Sequence, residues 1–369
     1  MVAGEKFGDV DLRQLAEITA PDRAFLSVYL AGPQSVPNLE GRFQKARRVL
    51  TGAAAKDERE HFDHNVNAVR EYLERNPLKS GSLCIFSCWV LDFFQAVPLG
   101  PPVKDLLWID SSPYIRPLAE LQEDFENVAV IIADNKKARI FLVSSAVADS
   151  EEVVHGNVKN HVRKGGWSQQ RYERRRDKQL LLYAREIIDA LSRLDKEETF
   201  RRIILVGSKE TLRIVYENLP QALQRKASKK ALDLSKGEYA INQDIMDLFL
   251  EQERRSELDL WEKIQDQYLR GGMAAVGIDE VLWAAKSGRV EEMIVNRTFS
   301  PEGRRCRDCS NLEIGVPHRC SVCGSESLFR IGVVNEIVEM LKLTGAEVDF
   351  ADSIETLEQA GEIAALLRY

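Results

Sequence analysis

The chain has 369 residues, long for a single hydrophobic core, so two or three domains are expected. A charged fraction of 30% and a hydrophobic fraction of 44% are ordinary for a globular protein, and a net charge of −7 excludes a generic polyanion binder. No basic start with an apolar core opens the sequence, and no apolar run approaches the roughly 20 residues that span a bilayer, so a cytosolic protein without a membrane partner is expected.

In chain order, Phe25–Leu30 (FLSVYL) is predicted as a strand from its β-branched and aromatic content. Asn38–Leu50 and Lys56–Glu74 are predicted helices, the second because Phe62, Val66, Val69 and Leu73 recur at three- and four-residue spacing. Leu83–Val97 reads as a strand pair, and the prolines at 98, 101, 102, 113 and 117 then break regular structure ahead of a domain boundary. VAVIIADNKKARIFLVSS, after Asn127, reads as a hairpin turning at Asp134-Asn135-Lys136. A helix follows, with Tyr172, Leu180, Tyr183, Ile187, Ile188 and Leu191 on one face. RRIILVGS is then a buried strand and Leu212–Leu223 another helix. A long helix from about Asn242 to Leu269 stops at Gly271-Gly272. GIDEVLWAAKSGRVEEMIVN reads helix, turn, strand, and the tail reads helix, strand, helix. Alternation throughout argues for α/β layers.

The six cysteines form two classes. Cys84 and Cys88 lie in an apolar run and are expected as buried free thiols. Cys306, Cys309, Cys320 and Cys323 form two CxxC pairs separated by ten residues. Each pair can turn two thiolates onto one ion, and two pairs complete the tetrahedral soft-ligand shell preferred by Zn²⁺. Such a closed shell is structural, and His318 is expected to stay outside it.

Between His155 and Lys178, eight Lys or Arg accompany only Glu173 and Asp177. Basic runs are often no more than solvated helix faces. This one carries RKGGWSQQR, in which adjacent glycines allow close backbone approach and Trp167 offers a face for stacking on a base. Lys159, Arg163, Lys164, Arg171, Arg174, Arg175 and Arg176 are the candidate phosphate contacts.

The stretch HGNVKNHVRKGGWSQQRYERRRDKQLLLYAREI resembles the central region of archaeo-eukaryotic class-1 release factors, a superfamily that includes Pelota. The resemblance continues through ILVGSKETL, GIDEVLWAAKSGRVEEMIV, the cysteine pairs and EIAALLRY, and is faint before Asn127. It implies three domains, with limits expected at 1–123, 124–240 and 241–369. These would be an N-terminal α/β domain near the decoding site, an RNase H-like middle domain carrying the glycine loop to the peptidyl-transferase centre, and an α/β/α C-terminal domain. The last would hold a zinc ribbon at about 297–330 and meet a translational GTPase, in bacteria elongation factor Tu. Ribosomal RNA and P-site tRNA are the implied partners.

The chain departs from the family at two places. Gly165 and Gly166 fall on the family's glycines, but Trp167 falls on its water-positioning glutamine. An indole has one N–H donor and no carbonyl oxygen, and Gln169 would serve only if the loop were rebuilt by two residues. The stop-codon motifs of the N-terminal domain are missing, the corresponding stretch being NLEGRFQKARRVLTG, where Lys45, Arg47 and Arg48 are either RNA contacts or an exposed helix face. The resemblance therefore implies an A-site factor acting in termination or rescue by peptidyl-tRNA hydrolysis, or one that occupies idle or stalled ribosomes without it. An RNase H-like nuclease using Asp134 and Asp149 is a remote alternative, since no further carboxylates cluster to hold metal ions.

Overall fold

The computed structural model describes residues 10–20, 22–50, 55–99, 103–124, 128–134, 136–144, 147–155, 167–197, 200, 202–231 and 238–369. After a one-turn helix α1 (Leu12–Ala16), capped by the Asp11 carboxylate, the N-terminal domain is built from β1 (Phe25–Leu30), α2 (Leu39–Val49), α3 (Ala55–Arg75), β2 (Ser82–Cys88), β3 (Phe93–Leu99) and β4 (Leu106–Asp110), followed by α4 (Arg116–Asp124). Its antiparallel sheet runs β3-β2-β1-β4. The spacing that predicts α3 places Phe62, Val66 and Val69 against Leu26, Val28 and Ile85 of the sheet. Cys84 and Cys88 are buried thiols, as expected.

The middle domain contains β5 (Val128–Ala133), β6 (Lys137–Ser144), β7 (Val147–His155), α5 (Trp167–Glu197), β8 (Arg202–Gly207), α6 (Lys209–Asn218), α7 (Gln221–Lys226) and β9 (Ala227–Ala231). Strand order is β7-β6-β5-β8-β9, with the first three antiparallel and the last two added in parallel, an RNase H-like arrangement. The predicted apolar face of α5 packs Leu180, Tyr183, Ile187 and Leu191 on Ile131, Ile140 and Leu205. The single helix expected at Leu212–Leu223 is two, because Pro220 has no N–H to continue the first.

Helix α8 (Glu238–Leu269) carries across the expected limit at 240/241 and ends where Gly271 takes a positive φ of 64°. The C-terminal domain adds β10 (Ala274–Val276), α9 (Ile278–Lys286), β11 (Val290–Asn296), β12 (Glu302–Cys306), β13 (Leu312–Ile314), β14 (Leu328–Gly332), α10 (Val333–Thr344), β15 (Glu347–Ala351), α11 (Glu355–Gln359) and β16 (Ile363–Leu367). The main sheet runs β10-β16-β11-β15, and β13-β12-β14 form a separate antiparallel ribbon. The expected helix, strand and helix of the tail appear as α10, β15 and the short α11, but the last helix stops before IAALL. IAALL is a strand paired on both sides, with Ile363, Ala364 and Ala365 fully buried. A short run apolar on both faces has no period to separate helix from strand.

Each of the three α/β domains thus has its own sheet. Residues 1–123 and 256–369 group as one compact unit and 124–255 as another, the division falling within α8.

Candidate functional site

The middle domain delivers the basic segment through α5. Gly165 and Gly166, with Lys159, Arg163 and Lys164, lie outside the described residues. Helix α5 opens at Trp167, directly after the glycine pair, so Gln169 and Arg171 belong to its first turns and Arg175 to its third. The positive end of the helix dipole therefore adjoins the basic stretch. Arg174 and Arg176 sit about 200° apart around the helix, since successive helical residues project about 100° apart. Arg174 is exposed, whereas Arg176 is buried at 7% exposure and forms a bidentate pair with Glu210 in the first turn of α6. Arg176, expected as a phosphate contact, is thus committed to holding α5 against α6.

Asp134, one of the two carboxylates considered for metal-dependent cleavage, is taken up by the β5–β6 turn. Its Oδ1 accepts the backbone N–H groups of Lys136 at 2.6 Å and Lys137 at 2.8 Å. The Asp149 side chain lies outside the described residues. In the N-terminal domain Arg47 is paired with Asp63 at 2.7 Å, while Lys45 and Arg48 are exposed. The neighbouring cleft, about 580 Å³, is lined by Arg47, Lys56 and Arg59 together with Glu60, Asp63, His64 and Asn67.

The structure brings the four predicted metal-ligating cysteines together. Their Sγ atoms all lie within 4.8 Å of one another, and Cys306–Cys323 and Cys309–Cys320 are each 3.5 Å apart. Tetrahedral bonds of about 2.3 Å to a common ion would set sulfurs about 3.8 Å apart, so the cage is of the right size. Local backbone makes it. The N–H of Ser310 donates to the Cys306 carbonyl and that of Gly324 to the Cys320 carbonyl, and both donors have positive φ, 59° and 74°. Glu313 braces the cage by accepting from the N–H and hydroxyl of Ser321 and from Asn311. Desolvation would lift the Cys306 thiol, but the N–H groups of Cys309 and Asp308 and the thiols of Cys323 and Cys309 bring it down to about 7. His318 is exposed and is not part of the cluster.

One set of interactions was not anticipated from sequence. On the face of β12 opposite Cys306, Arg305 donates to Ser111 at 2.9 Å and pairs with Glu336 of α10, while Arg307 pairs with Asp22 and Glu58. Glu339 accepts from Ser112 at 2.8 Å and from Asn335 at 2.6 Å, and Asn335 Oδ1 accepts the N–H of Arg116 at 2.9 Å. Arg116 itself reaches the carbonyls of Arg297 and Phe299. These contacts join the N-terminal domain to the ribbon and to α10. Their only local signal is the pair of arginines flanking the first ligand cysteine.

Residues 113–254 match the family described as Bacterial archaeo-eukaryotic release factor family 10. Peptide chain release factor subunit 1 of Archaeoglobus fulgidus is 26% identical over 97% of this chain and 96% of its own length. The same protein of Methanococcoides burtonii is 24% identical over 74% of this chain and 73% of its own. Among solved structures, an archaeal translation termination factor, aRF1, aligns over 97% of this chain and 96% of its own at 18% identity, with a TM-score of 0.26. The middle of the chain thus matches a release-factor family, and nearly its full length is similar to archaeal peptide chain release factor subunit 1.

Proposed function

We propose that the protein is a ribosome-associated translation factor that binds the A site in the manner of release factors. The similarity to archaeal release factor 1 along 97% of the chain carries this reading, because it spans all three domains rather than one common fold. In this reading Lys159, Arg163, Lys164, Arg171, Arg174 and Arg175 neutralise phosphates of ribosomal RNA and P-site tRNA, and Trp167 stacks in the peptidyl-transferase centre. The C-terminal domain meets a translational GTPase of the elongation factor Tu type. Cys306, Cys309, Cys320 and Cys323 hold one Zn²⁺ in a closed shell, which gives the ribbon its fold and leaves no coordination position for catalysis.

One observation favours occupancy of idle or stalled ribosomes over hydrolysis. With α5 opening at Trp167, Gln169 stands within a helical turn rather than at the tip of the glycine loop. Trp167 takes the position where the family places its glutamine, and an indole has one N–H donor and no carbonyl oxygen to hold a water there. Hydrolysis in termination or rescue is the second reading, favoured by the retained Gly165-Gly166 pair, with Gln169 or a backbone amide near Gly166 orienting water.

Ribosomes loaded with peptidyl-tRNA, with and without a stop codon in the A site, separate the two. Occupancy requires co-sedimentation without peptide release, weakened by Trp167→Ala. Release that disappears in Gln169→Ala but persists in Trp167→Ala overturns occupancy in favour of hydrolysis. Neither binding nor release would overturn both.

A further inference from the structure

Cys306 stands between two arginines that leave the ribbon. Side chains alternate along a strand, so while the Cys306 Sγ at the end of β12 joins the four-sulfur cage, Arg305 projects from the other face, and Arg307 follows just past the strand end. Both reach the N-terminal domain, Arg305 while also pairing with Glu336 of α10. Arg305 reaches Ser111, and Arg307 pairs with Asp22 and with Glu58, a carboxylate only 1% exposed. Burial would lift the Glu58 pKa, but Arg23 and Arg307 hold it below the usual carboxylate value. Removing Arg307 would leave this buried carboxylate to Arg23 alone.

The surrounding packing belongs to the same junction. The Arg307 guanidinium lies 4.9 Å over the Phe329 ring, and that of Arg330 lies 5.7 Å from the ring of Trp108. At Gly332, where β14 leaves the ribbon, a Cβ would come within 2.8 Å of Tyr114, so the N-terminal domain packs on bare backbone. The course of Arg305–Arg307 is in turn set by the cysteine turns. The Cys306 N–H donates to Asn311 and that of Arg307 to Ser327, both at 2.9 Å. A three-stranded ribbon has too small a core to hold these turns in register unaided, and in such modules metal binding is folding free energy.

We propose that the ribbon is a metal-dependent clasp. An ion in the four-cysteine cage fixes β12 so that Arg305 and Arg307 hold the N-terminal domain against the C-terminal domain, and loss of the ion releases that hold. The proposal rests on the reading that the cage binds Zn²⁺. Its consequence is that metal occupancy controls how the N-terminal domain is presented, through residues that are not metal ligands.

Hydrogen exchange on the full chain tests it. The Arg116 N–H crosses the junction to Asn335, and the amides of Met293–Val295 in β11 report the C-terminal core. Chelation of zinc-loaded protein should accelerate exchange around Arg116 at least tenfold more than at Met293–Val295, and zinc add-back should restore it. The Arg305→Met, Arg307→Met double variant should show the same acceleration while keeping its full zinc content. Unchanged exchange at Arg116 in either sample would overturn the clasp. So would acceleration that extends equally to Met293–Val295, which signals general unfolding. Zinc content measured on the same samples separates the two readings. Protein that never carries zinc overturns the metal assignment and the metal dependence, and the double variant then reports on the arginines alone.

Discussion

Glu336 and Glu339, three residues apart on α10, share with Asp110 a buried region where Arg305 supplies a positive charge. Burial is the largest influence on all three carboxyl groups and pushes each pKa up, Glu336 to about 7. A group that holds its proton more tightly when folded stabilises the protein fully below its unfolded pKa, and that stability is lost as pH rises towards the folded value. For Glu336 the window runs from 4.5 to about 7. Glu336→Gln cannot titrate, so its unfolding free energy should fall less than that of the wild type between about pH 5 and pH 8, by roughly 2–3 kcal/mol. Urea unfolding at the two pH values measures this, and parallel losses would refute it. Gly207 gives a second prediction of the same scale. It has a φ of 139°, and a Cβ there would come within 1.9 Å of the Ala133 carbonyl oxygen in the neighbouring strand. Gly207→Ala should cost roughly 2–4 kcal/mol in urea unfolding, and a change within error would show that the β5–β8 spacing yields.

Helix α5 carries the clearest prediction for an element, because adjacent arginines on it do different work. Arg176 is buried against Glu210 and Arg174 is exposed. Arg176→Ala should lower stability by roughly 1–3 kcal/mol, Glu210 being partly exposed, and leave the salt dependence of ribosome co-sedimentation unchanged. Arg174→Ala should leave stability alone and flatten that dependence by about one unit of slope, the signature of a lost phosphate contact. The reverse result would return Arg176 to the RNA-binding set. The division is legible in the apolar period of α5, which marks its buried side, but the pairing with Glu210 is not, since 34 residues separate the partners. Strands show the same limit. β1, β5 and β8 are readable because they are continuously apolar and buried. β9, reading ASKKA, was missed because an edge strand in water is free to be polar, and Lys229 there lies over the Tyr216 ring. The cysteine cage was legible because each CxxC fixes its ligands within one turn. The Arg305 and Arg307 contacts were not, because their partners lie up to 285 residues away and form no local pattern.

At the scale of the whole molecule, one compact unit is continuous in sequence, 124–255, and the other is assembled from two distant segments, 1–123 and 256–369. A discontinuous unit closes a long loop before its contacts form, so it depends more heavily on the polar junction and the ribbon than the continuous unit does. All four candidate metal ligands lie in the discontinuous unit, and so do Asp22, Glu58, Arg305 and Arg307. Metal affinity that appears only in the folded state is added to the stability of the unit that binds it. Calorimetry of the full chain should therefore resolve two transitions. Zinc removal should lower one of them by roughly 10 °C or more and leave the other in place. Hydrogen exchange during the melt should assign the shifted transition to β1 and β11 and the unshifted one to β5 and β8. A single transition moving as a whole would mean that the two units unfold together, and two transitions that both ignore zinc would mean that the cage contributes nothing to the fold. The expected pattern would make the middle domain, with its glycine loop, thermodynamically independent of the metal. A zinc-depleted sample would then keep the Trp167 segment on an intact support while the unit carrying the N-terminal domain is weakened, so loss of ribosome binding in that sample would locate an essential contact outside the loop.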